Sequence, residues 1–529
     1  MNISTLISRL KKEGVRLSVK SGQLNVEASK TPSEELIFLL RENKDNLIEA
    51  LTASSKVQKA KSLMFSPEQE SIWLAQNNNP EALQYHFPSV FELKGKVNEK
   101  ALETALLNIV RKHSALRMVA KHNGVEFLPT LVNIPATILD VLFFDNEDEA
   151  QSAIDSFLSQ PFDLESDILI KAALISCGKS TKLCLLTHHI ASDGWSVELF
   201  FKELGELYSE ALIHPTAEHS EIEVSYSDIT YHNSLIDYQN SEYFWSNILK
   251  NCPISSGLKS HLKKDNNIQA GIYKSTLTYQ EMNDVRSVSD LTGASIFTVI
   301  QSFYAYALSL YSGNSSVLLG SPVSGRELPE SHGVIGCFTK VMPFNICFTP
   351  EDSLSQVIER NHTTLTKGSG FPLPPLQKLL SLAKDDEGHT PSIETSFTLH
   401  PSDELKLELE GLTATKITED FMFSRFDIEL HAVEGDNFGL TWVYNKSVIA
   451  EDTPESLASL LKKIIHVASN QISTPLCKIN WLSNKTRPEN STSDNTVCSK
   501  FFDAVNAYSD KVAVSSLESK WTYKELDEK

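Results

Sequence analysis

The sequence predicts a mixed α/β fold over residues 65–482, with a small helix–hairpin–helix unit ahead of it and the beginning of another unit behind it. Three observations carry that prediction. Apolar runs of strand length, alternating or continuous, interleave with amphipathic stretches of helix length from Phe65 to about Leu482, broken only by a loop near 250–270. Two polar stretches bracket this body: SSKVQKAKSL (54–63), which is basic, and KTRPENSTSDNT (485–496), which carries Pro, Ser and Asn. A chain of 529 residues that is 41% hydrophobic and 22% charged has ample material for a large core. The expected divisions are a unit at 1–54, a linker at 55–64, the α/β body, a second linker at 485–496 and a further unit beginning at 497–529.

In the first unit, Ile3, Leu6, Ile7 and Leu10 recur at helical spacing and Gly14 ends the helix. VRLSVK (15–20) and QLNVE (23–27) alternate apolar and polar residues around Ser21-Gly22, the pattern of a β-hairpin. A second helix is expected from Thr31-Pro32, with Thr31 as N-cap and Pro32 as first residue, and with Leu36, Leu39, Leu40, Leu47 and Leu51 on its apolar face. About fifty residues are marginal as an independent core, so docking or dimerisation is expected of this unit.

Within the body, KLCLLT (182–187) reads as a buried strand, and WSVELFFKELGELYSEAL, from Trp195, reads as a helix. On that helix Trp195, Leu199, Phe200, Leu204, Leu207 and Tyr208 form one stripe. Between strand and helix lies HHIASDG, which places His188 and His189 at a strand end and Asp193-Gly194 at a helix start. Loops at strand ends are where chemistry projects from a rigid scaffold. Singly, each residue has an ordinary reading: a hydrogen-bonded histidine, an N-cap aspartate. Together, the four fixed positions of HHxxxDG arise by chance in roughly one chain of this length in several hundred.

Charge and cysteine usage exclude several classes. A formal net charge of −20 argues against general binding to nucleic acid or to anionic membranes, which needs basic surface. The seven cysteines (Cys177, Cys184, Cys252, Cys337, Cys347, Cys477 and Cys498) are scattered and form no CxxC pair. Reduced thiols in a cytoplasmic protein are expected, with no disulfide framework and no metal site. The first residues, MNISTLISRLKKEG, lack the apolar segment of a signal peptide, and no run reaches the roughly 18 apolar residues of a membrane helix.

HHxxxDG is the signature of the condensation domains of nonribosomal peptide synthetases, and residues 65–482 resemble that family in seven segments in the family's order. FSPEQESIWLAQ (65–76) resembles its first motif in Ser66, Gln69 and Trp73. RKHSALR (111–117) resembles the second, with His113, Leu116 and Arg117. PFDLESDILIKAAL (161–174) matches the segment before the histidines, and SYSDITYH (225–232) resembles the fourth motif in Tyr226 and Asp228, with His232 where Trp is usual. GSPVSGR (320–326), VIGCFTKVMPFN (334–345) and FSRFDIEL (423–430) resemble later segments. The fifth motif departs from the family's IGxFVNTLPLR: Lys340 replaces Asn and Asn345 replaces Arg.

The resemblance implies an α/β fold of two chloramphenicol-acetyltransferase-like lobes in a V-shaped pseudo-dimer, at 65–250 and 251–484. It implies amide formation between an upstream carrier-bound acyl or peptidyl thioester and a downstream carrier-bound aminoacyl thioester, both delivered on 4'-phosphopantetheine arms, with no cofactor bound for the chemistry. His189 is implied as general base or hydrogen-bonding positioner, and His188 as its structural partner. Asp193 is expected to organise the loop; a buried carboxylate needs a cation, and Arg326 is the candidate. Gly194 would let backbone approach the reacting centre and offer its N–H to an oxyanion. Arg117 is read as structural. Trp195 is read as core or tunnel wall, and Tyr226, Lys340 and Asn345 as neighbours of the tunnel.

The two ends also carry resemblances. Residues 1–54 resemble the N-terminal docking domains first described in the tubulysin synthetase, which recognise the C-terminal tail of an upstream subunit; Arg16 and Lys20 on the hairpin suit an acidic tail. WTYKEL (521–526) resembles the first motif of an adenylation domain, so the chain resembles an excised fragment of a larger synthetase. Related domains fit less well. Cyclisation domains carry aspartates in place of the histidines, epimerisation domains follow a carrier domain, and a freestanding acyltransferase needs neither end unit. The alternative of a different class is a non-catalytic condensation-like recruitment platform.

Overall fold

The computed structural model describes residues 15–20, 23–28, 39–41, 43–44, 46–47, 57–258, 270–385, 387–400, 406–417, 424–434, 438–479, 497–515 and 520–527. Near the N-terminus, β1 (Val15–Lys20) and β2 (Gln23–Ala28) form an antiparallel hairpin in which Lys20 lies opposite Gln23. Val15, Leu40 and Leu47 bury a small cluster with Leu17, Leu24 and Leu39 against it. Arg16 and Lys20 lie on β1, but their side chains, the first helix and the Thr31-Pro32 cap fall outside the described residues.

The first half of the body runs α1 (Pro67–Asn78), β3 (His86–Lys94), α2 (Glu99–Lys112), β4 (Met118–His122), β5 (Phe127–Leu131), β6 (Leu139–Phe144), α3 (Glu147–Leu158), β7 (Ile170–Cys177), β8 (Ser180–His188), α4 (Gly194–Ile213), α5 (Tyr226–Ser234) and α6 (Gln239–Ile248). The second half runs β9 (Ala270–Leu277), α7 (Tyr279–Thr292), α8 (Ile296–Ser312), β10 (Ser316–Val323), β11 (Lys340–Cys347), α9 (Leu354–Gly368), α10 (Leu376–Leu382), β12 (Thr395–His400), β13 (Thr413–Lys416), β14 (Ile428–Val433), β15 (Phe438–Asn445) and α11 (Thr453–Gln471). Each half has its own mixed sheet: β13-β3-β8-β7-β6 in the first and β11-β10-β12-β14-β15-β9 in the second. Pairings are antiparallel except β6–β7, β10–β12 and β12–β14. The mixed α/β class predicted from the sequence is therefore the class observed.

Local chemistry sets the element ends. Ser66 and Gln69 close a reciprocal capping box at α1, with Pro67 as its first residue; Thr278/Glu281 and Ser353/Gln356 do the same at α7 and α9. Gly293 and Gly313 end α7 and α8 in the left-handed conformation. β8 is buried continuously over its last six residues, Leu183–His188, so its apolar run serves a central strand rather than one with a wet face.

The halves interlock, and a cut at residue 250 does not separate the sheets. β13, from the second half, pairs antiparallel with β3 at the edge of the first sheet, and Leu407, Leu409 and Val334–Phe338 lie in the first half's core. In the other direction, α6 packs against α9 and α10, with Trp245 fully buried against Gly368. The stretch read as a linker is partly fastened: Lys59 pairs with Asp228 at 3.1 Å, and Ala60 N–H donates to the same carboxylate at 2.8 Å. Asp228 also closes the capping box of α5, so this fourth-motif residue has structural work.

A separate compact unit comprises residues 478–529. In it α12 (Val497–Tyr508) precedes the hairpin of β16 (Val512–Ser515) and β17 (Lys520–Thr522), which leads into α13 (Tyr523–Asp527). Glu525 accepts from the Thr522 N–H and hydroxyl at 2.8 and 3.0 Å, and its own N–H donates back to Thr522 Oγ at 3.3 Å. The WTYKEL stretch is thus a strand end feeding a capped helix.

Candidate active site

His188 ends β8, His189 opens the turn that follows, and Asp193 caps α4, with five residues between His188 and Gly194. The turn is tied on all sides. His189 N–H donates to the Tyr85 carbonyl at 2.7 Å and Ala191 N–H to the His188 carbonyl at 3.0 Å. Gln69 Nε2 donates to the Ile190 carbonyl at 2.8 Å, so the first motif secures the loop that carries the chemistry.

His189 is 8% exposed. Its Nδ1 lies 2.8 Å from the Ser192 carbonyl and its Nε2 lies 3.2 Å from Arg425 Nη1. A carbonyl only accepts and a guanidinium only donates, so Nδ1 carries the proton and Nε2 presents a lone pair. Phe87 packs on the ring at 4.9 Å. Burial, followed by the charge of Arg425, lowers the pKa of His189 to about 4, so the ring is neutral at physiological pH.

His188 faces the other way. Its Nδ1 accepts the Ile190 N–H at 3.2 Å, and its ring sits among His86, Phe162 and Tyr85 at 5.7, 5.6 and 6.1 Å. Burial, then the neighbouring His86 and His189, push its pKa well below the usual histidine value. Its Nε2 is buried and has no hydrogen-bond partner among the described residues. The ring is an aromatic packing element under the turn rather than a group that handles protons.

Asp193 is fully buried and uses both oxygens. Oδ1 accepts the Ser196 N–H at 2.8 Å as helix cap and Arg326 Nη2 at 2.9 Å; Oδ2 accepts the N–H groups of Phe338 and Thr339 at 3.0 and 3.2 Å. Arg326 also donates to the Ser331 carbonyl, to the Val334 carbonyl at 2.8 Å and to Ser196 Oγ at 2.7 Å, and it lies 4.2 Å from the Phe338 ring centroid. One ion pair thus joins the helix start, the GSPVSGR segment and the fifth motif.

Two glycines permit that closeness. At Gly325, φ is +60° and a Cβ would meet the Phe338 carbonyl oxygen at 1.9 Å; at Gly336 a Cβ would overlap Tyr226 at 2.1 Å. The second motif reaches the same place: His113 Nδ1 accepts the Ile335 N–H at 3.2 Å, while its Nε2 donates to Glu203 on α4 at 2.9 Å.

Gly194 is exposed, and a Cβ there would meet nothing within 4 Å, so protein packing does not require glycine at this position. Arg117 donates to the carbonyls of Val110 and Val132 at 3.1 and 3.2 Å, fastening the end of α2. Trp195 is half-buried, and its indole N–H donates to the His332 carbonyl at 3.1 Å. Three residues expected beside a tunnel make defined side-chain contacts. Tyr226 is 2% exposed and donates to the Cys337 carbonyl at 2.8 Å, because a phenol buried this deeply needs a partner. Lys340 Nζ donates to the Leu373 carbonyl at 3.2 Å. Asn345 Nδ2 donates to the carbonyls of Ile248 and Lys250, both at 3.2 Å, and so holds the end of α6. It stands five residues along an extended strand, about 16 Å, from Lys340.

Sequence reading missed Arg425 as a neighbour of His189. Glu429 holds it: this 2%-exposed carboxylate accepts the Arg425 N–H at 2.7 Å and lies 3.7 Å from its Nη2. Burial raises the Glu429 pKa, but His431 and Arg425 outweigh it and set it at about 2, so the carboxylate is charged. The available signal was the FSRFDIEL segment, which marks the region without assigning a role to the arginine.

A family model described as the condensation domain matches residues 59–489. Gramicidin S synthase 2 of Brevibacillus brevis is 25% identical over 487 residues, covering 88% of this chain and 11% of that protein. The chain spans between 3% and 15% of the length of the curated relatives it matches. Among solved structures, the complex of the X-domain and OxyB from teicoplanin biosynthesis aligns with a TM-score of 0.73 at 18% identity, covering 81% of this chain and 97% of that one. A four-domain nonribosomal peptide synthetase bound to AMP and glycine aligns with a TM-score of 0.69 at 16% identity, covering 88% of this chain and 38% of that one.

Proposed function

The chain belongs to the condensation-domain family, and from that premise we propose that it forms an amide bond between two carrier-bound thioesters at His189. The observation that carries this reading is the Nε2 lone pair of a neutral, buried His189, fixed by the Ser192 carbonyl on the opposite ring nitrogen. A neutral amine donating one N–H to that lone pair has its own lone pair free for the donor carbonyl carbon. The N–C bond forms, the C–S bond breaks, and the amine proton passes to the departing thiolate, directly or through the imidazole. The thioester is already activated, so alignment of two tethered substrates supplies much of the rate. The open space at Gly194 among the described residues, at the N-terminus of α4, fits a reacting carbonyl at the positive end of the helix. The substrates arrive on 4'-phosphopantetheine arms of an upstream donor carrier and a downstream acceptor carrier.

Replacement of His189 by Ala is expected to reduce condensation between loaded carriers by at least 100-fold while leaving carrier binding intact. Chromatographic quantitation of the amide, after its thioester to the acceptor carrier is cleaved, reads this over time. Equal turnover in wild type and variant sinks the role of His189, and binding of both carriers without any amide favours a recruitment platform.

Residues 1–54 are proposed to dock the C-terminal tail of an upstream subunit, supported by the compact hairpin cluster and the basic residues on its first strand. Deleting 1–54 is expected to weaken transfer from the native upstream carrier about tenfold or more and to spare transfer from a small soluble thioester. A matched loss in both assays contradicts docking and assigns the unit to the fold.

A further inference from the structure

We propose that Arg425 is a positioning residue that seats on Nε2 of His189 until the N–H of a neutral acceptor amine takes its place, with Glu429 holding the guanidinium within reach. The proposal rests on the amide-forming reading of the site and adds a second group to it.

Nε2 is the only ring nitrogen of His189 left for substrate, because Nδ1 is bonded to the Ser192 carbonyl. Arg425 occupies it with one N–H at 3.2 Å. An amine N–H bonds the same lone pair in the same geometry, so the exchange swaps one donor for another and leaves the imidazole in place. The arginine side chain is 31% exposed, against 8% for His189, so it can swing toward solvent without opening the core. Glu429 does not let it wander: the carboxylate accepts the backbone N–H groups of Arg425 and Phe426 and the Ser424 hydroxyl, and it faces the guanidinium from a buried position.

The charge of Arg425 adds discrimination. A cation beside Nε2 repels a protonated acceptor and tolerates a neutral one, and only the neutral amine is a nucleophile. It also keeps His189 unprotonated. The other groups around that ring are His188 beside it, the Cys337 thiol 3.9 Å from Nδ1, the Asp193 carboxylate bound to Arg326, and the Tyr85 hydroxyl. Asp193 favours the charged imidazole, while burial and Arg425 favour the neutral one and prevail.

The test uses the full chain labelled with 15N-histidine, with His189→Ala to assign the signal, in wild type, Arg425→Ala, Arg425→Lys and Glu429→Gln. Wild-type His189 is expected to remain neutral, protonated on Nδ1, down to about pH 5. Arg425→Ala should move its titration upward by at least half a pH unit, Glu429→Gln should do so by less, and Arg425→Lys should restore most of the wild-type position. In single-turnover transfer, the acid limb of wild type should follow one proton, that of the acceptor amine. In Arg425→Ala it should steepen toward lower pH, so that the rate ratio between pH 6 and pH 4 grows about twofold or more. An unchanged His189 titration and an unchanged acid limb in a folded Arg425→Ala protein overturn the proposal. A shifted titration with no transfer in any of the four proteins contradicts the amide-forming reading instead, and leaves the seating of Arg425 on His189 standing.

Discussion

Arg326→Ala is expected to lower the stability of the body by about 3–5 kcal/mol, because it strands a buried carboxylate. Asp193 has no access to water, and three of its partners are backbone or cap donors that cannot supply a full positive charge. The same substitution removes the guanidinium N–H bonds to the Val334 carbonyl and to the Ser196 hydroxyl, although that hydroxyl keeps its bonds to Gly336. Arg326→Lys should recover only part of the loss, since one ammonium cannot reach carboxylate, hydroxyl and carbonyl in the forked geometry of a guanidinium. Urea unfolding followed by tryptophan fluorescence measures this. A midpoint within the error of wild type for Arg326→Ala means that the pair does not hold the helix start to the fifth motif. Because Asp193 positions the turn that follows His189, condensation should fall even where the variant remains folded.

Acid is the second large lever. In an unfolded chain His86, His188 and His189 bind protons near pH 6.5. In the fold, burial followed by the charge of Lys171 lowers His86 to about 4; burial and Arg425 lower His189 to about 4; burial, His86 and His189 push His188 well below its usual value. Unfolding therefore takes up protons below pH 6.5, so the stability these groups contribute is complete above about pH 7 and drains as pH falls toward 4. At pH 5, His86 and His189 each account for about 2 kcal/mol, and His188 adds to the loss in the same direction. The depressed carboxylates do not offset this. Glu429, at about 2, contributes stability that is lost only as pH falls below its unfolded value near 4.5. The urea midpoint should fall steeply between pH 7 and pH 5, and His86→Phe should flatten that slope. A midpoint that does not change across this interval contradicts the buried, neutral state of the three rings.

The sequence displayed some of this arrangement and hid the rest, for identifiable reasons. The end of β8 and the start of α4 were legible because a continuous apolar run and an aspartate cap are local signals, and they bracket the two histidines. A buried carboxylate demands a cation, and the segment GSPVSGR, marked by its resemblance to the family, offered as candidate the arginine that meets it. Nothing local marks Arg425, which lies 236 residues from His189 and reaches it through tertiary folding alone. β13 is four residues of ordinary polar and apolar alternation, too short to announce that it joins a sheet built from the other half of the chain. Tyr226 was placed by its motif near a channel, yet its depth follows from contacts with Gly336, Cys337 and Phe338, none of which adjoins it in sequence. Lys340 and Asn345 stood out as departures from a family pattern; Lys340 donates to a carbonyl of the loop before α10, and Asn345 to carbonyls at the end of α6.

The most direct measurement of the central claim is intact-protein mass spectrometry of an acceptor carrier charged with its amino acid and mixed with this chain and a donor-loaded carrier. The expected result is a gain on the acceptor equal to the donor acyl group, with matching loss from the donor, abolished in His189→Ala. No gain with several matched donors, while both carriers bind measurably, contradicts amide formation at His189.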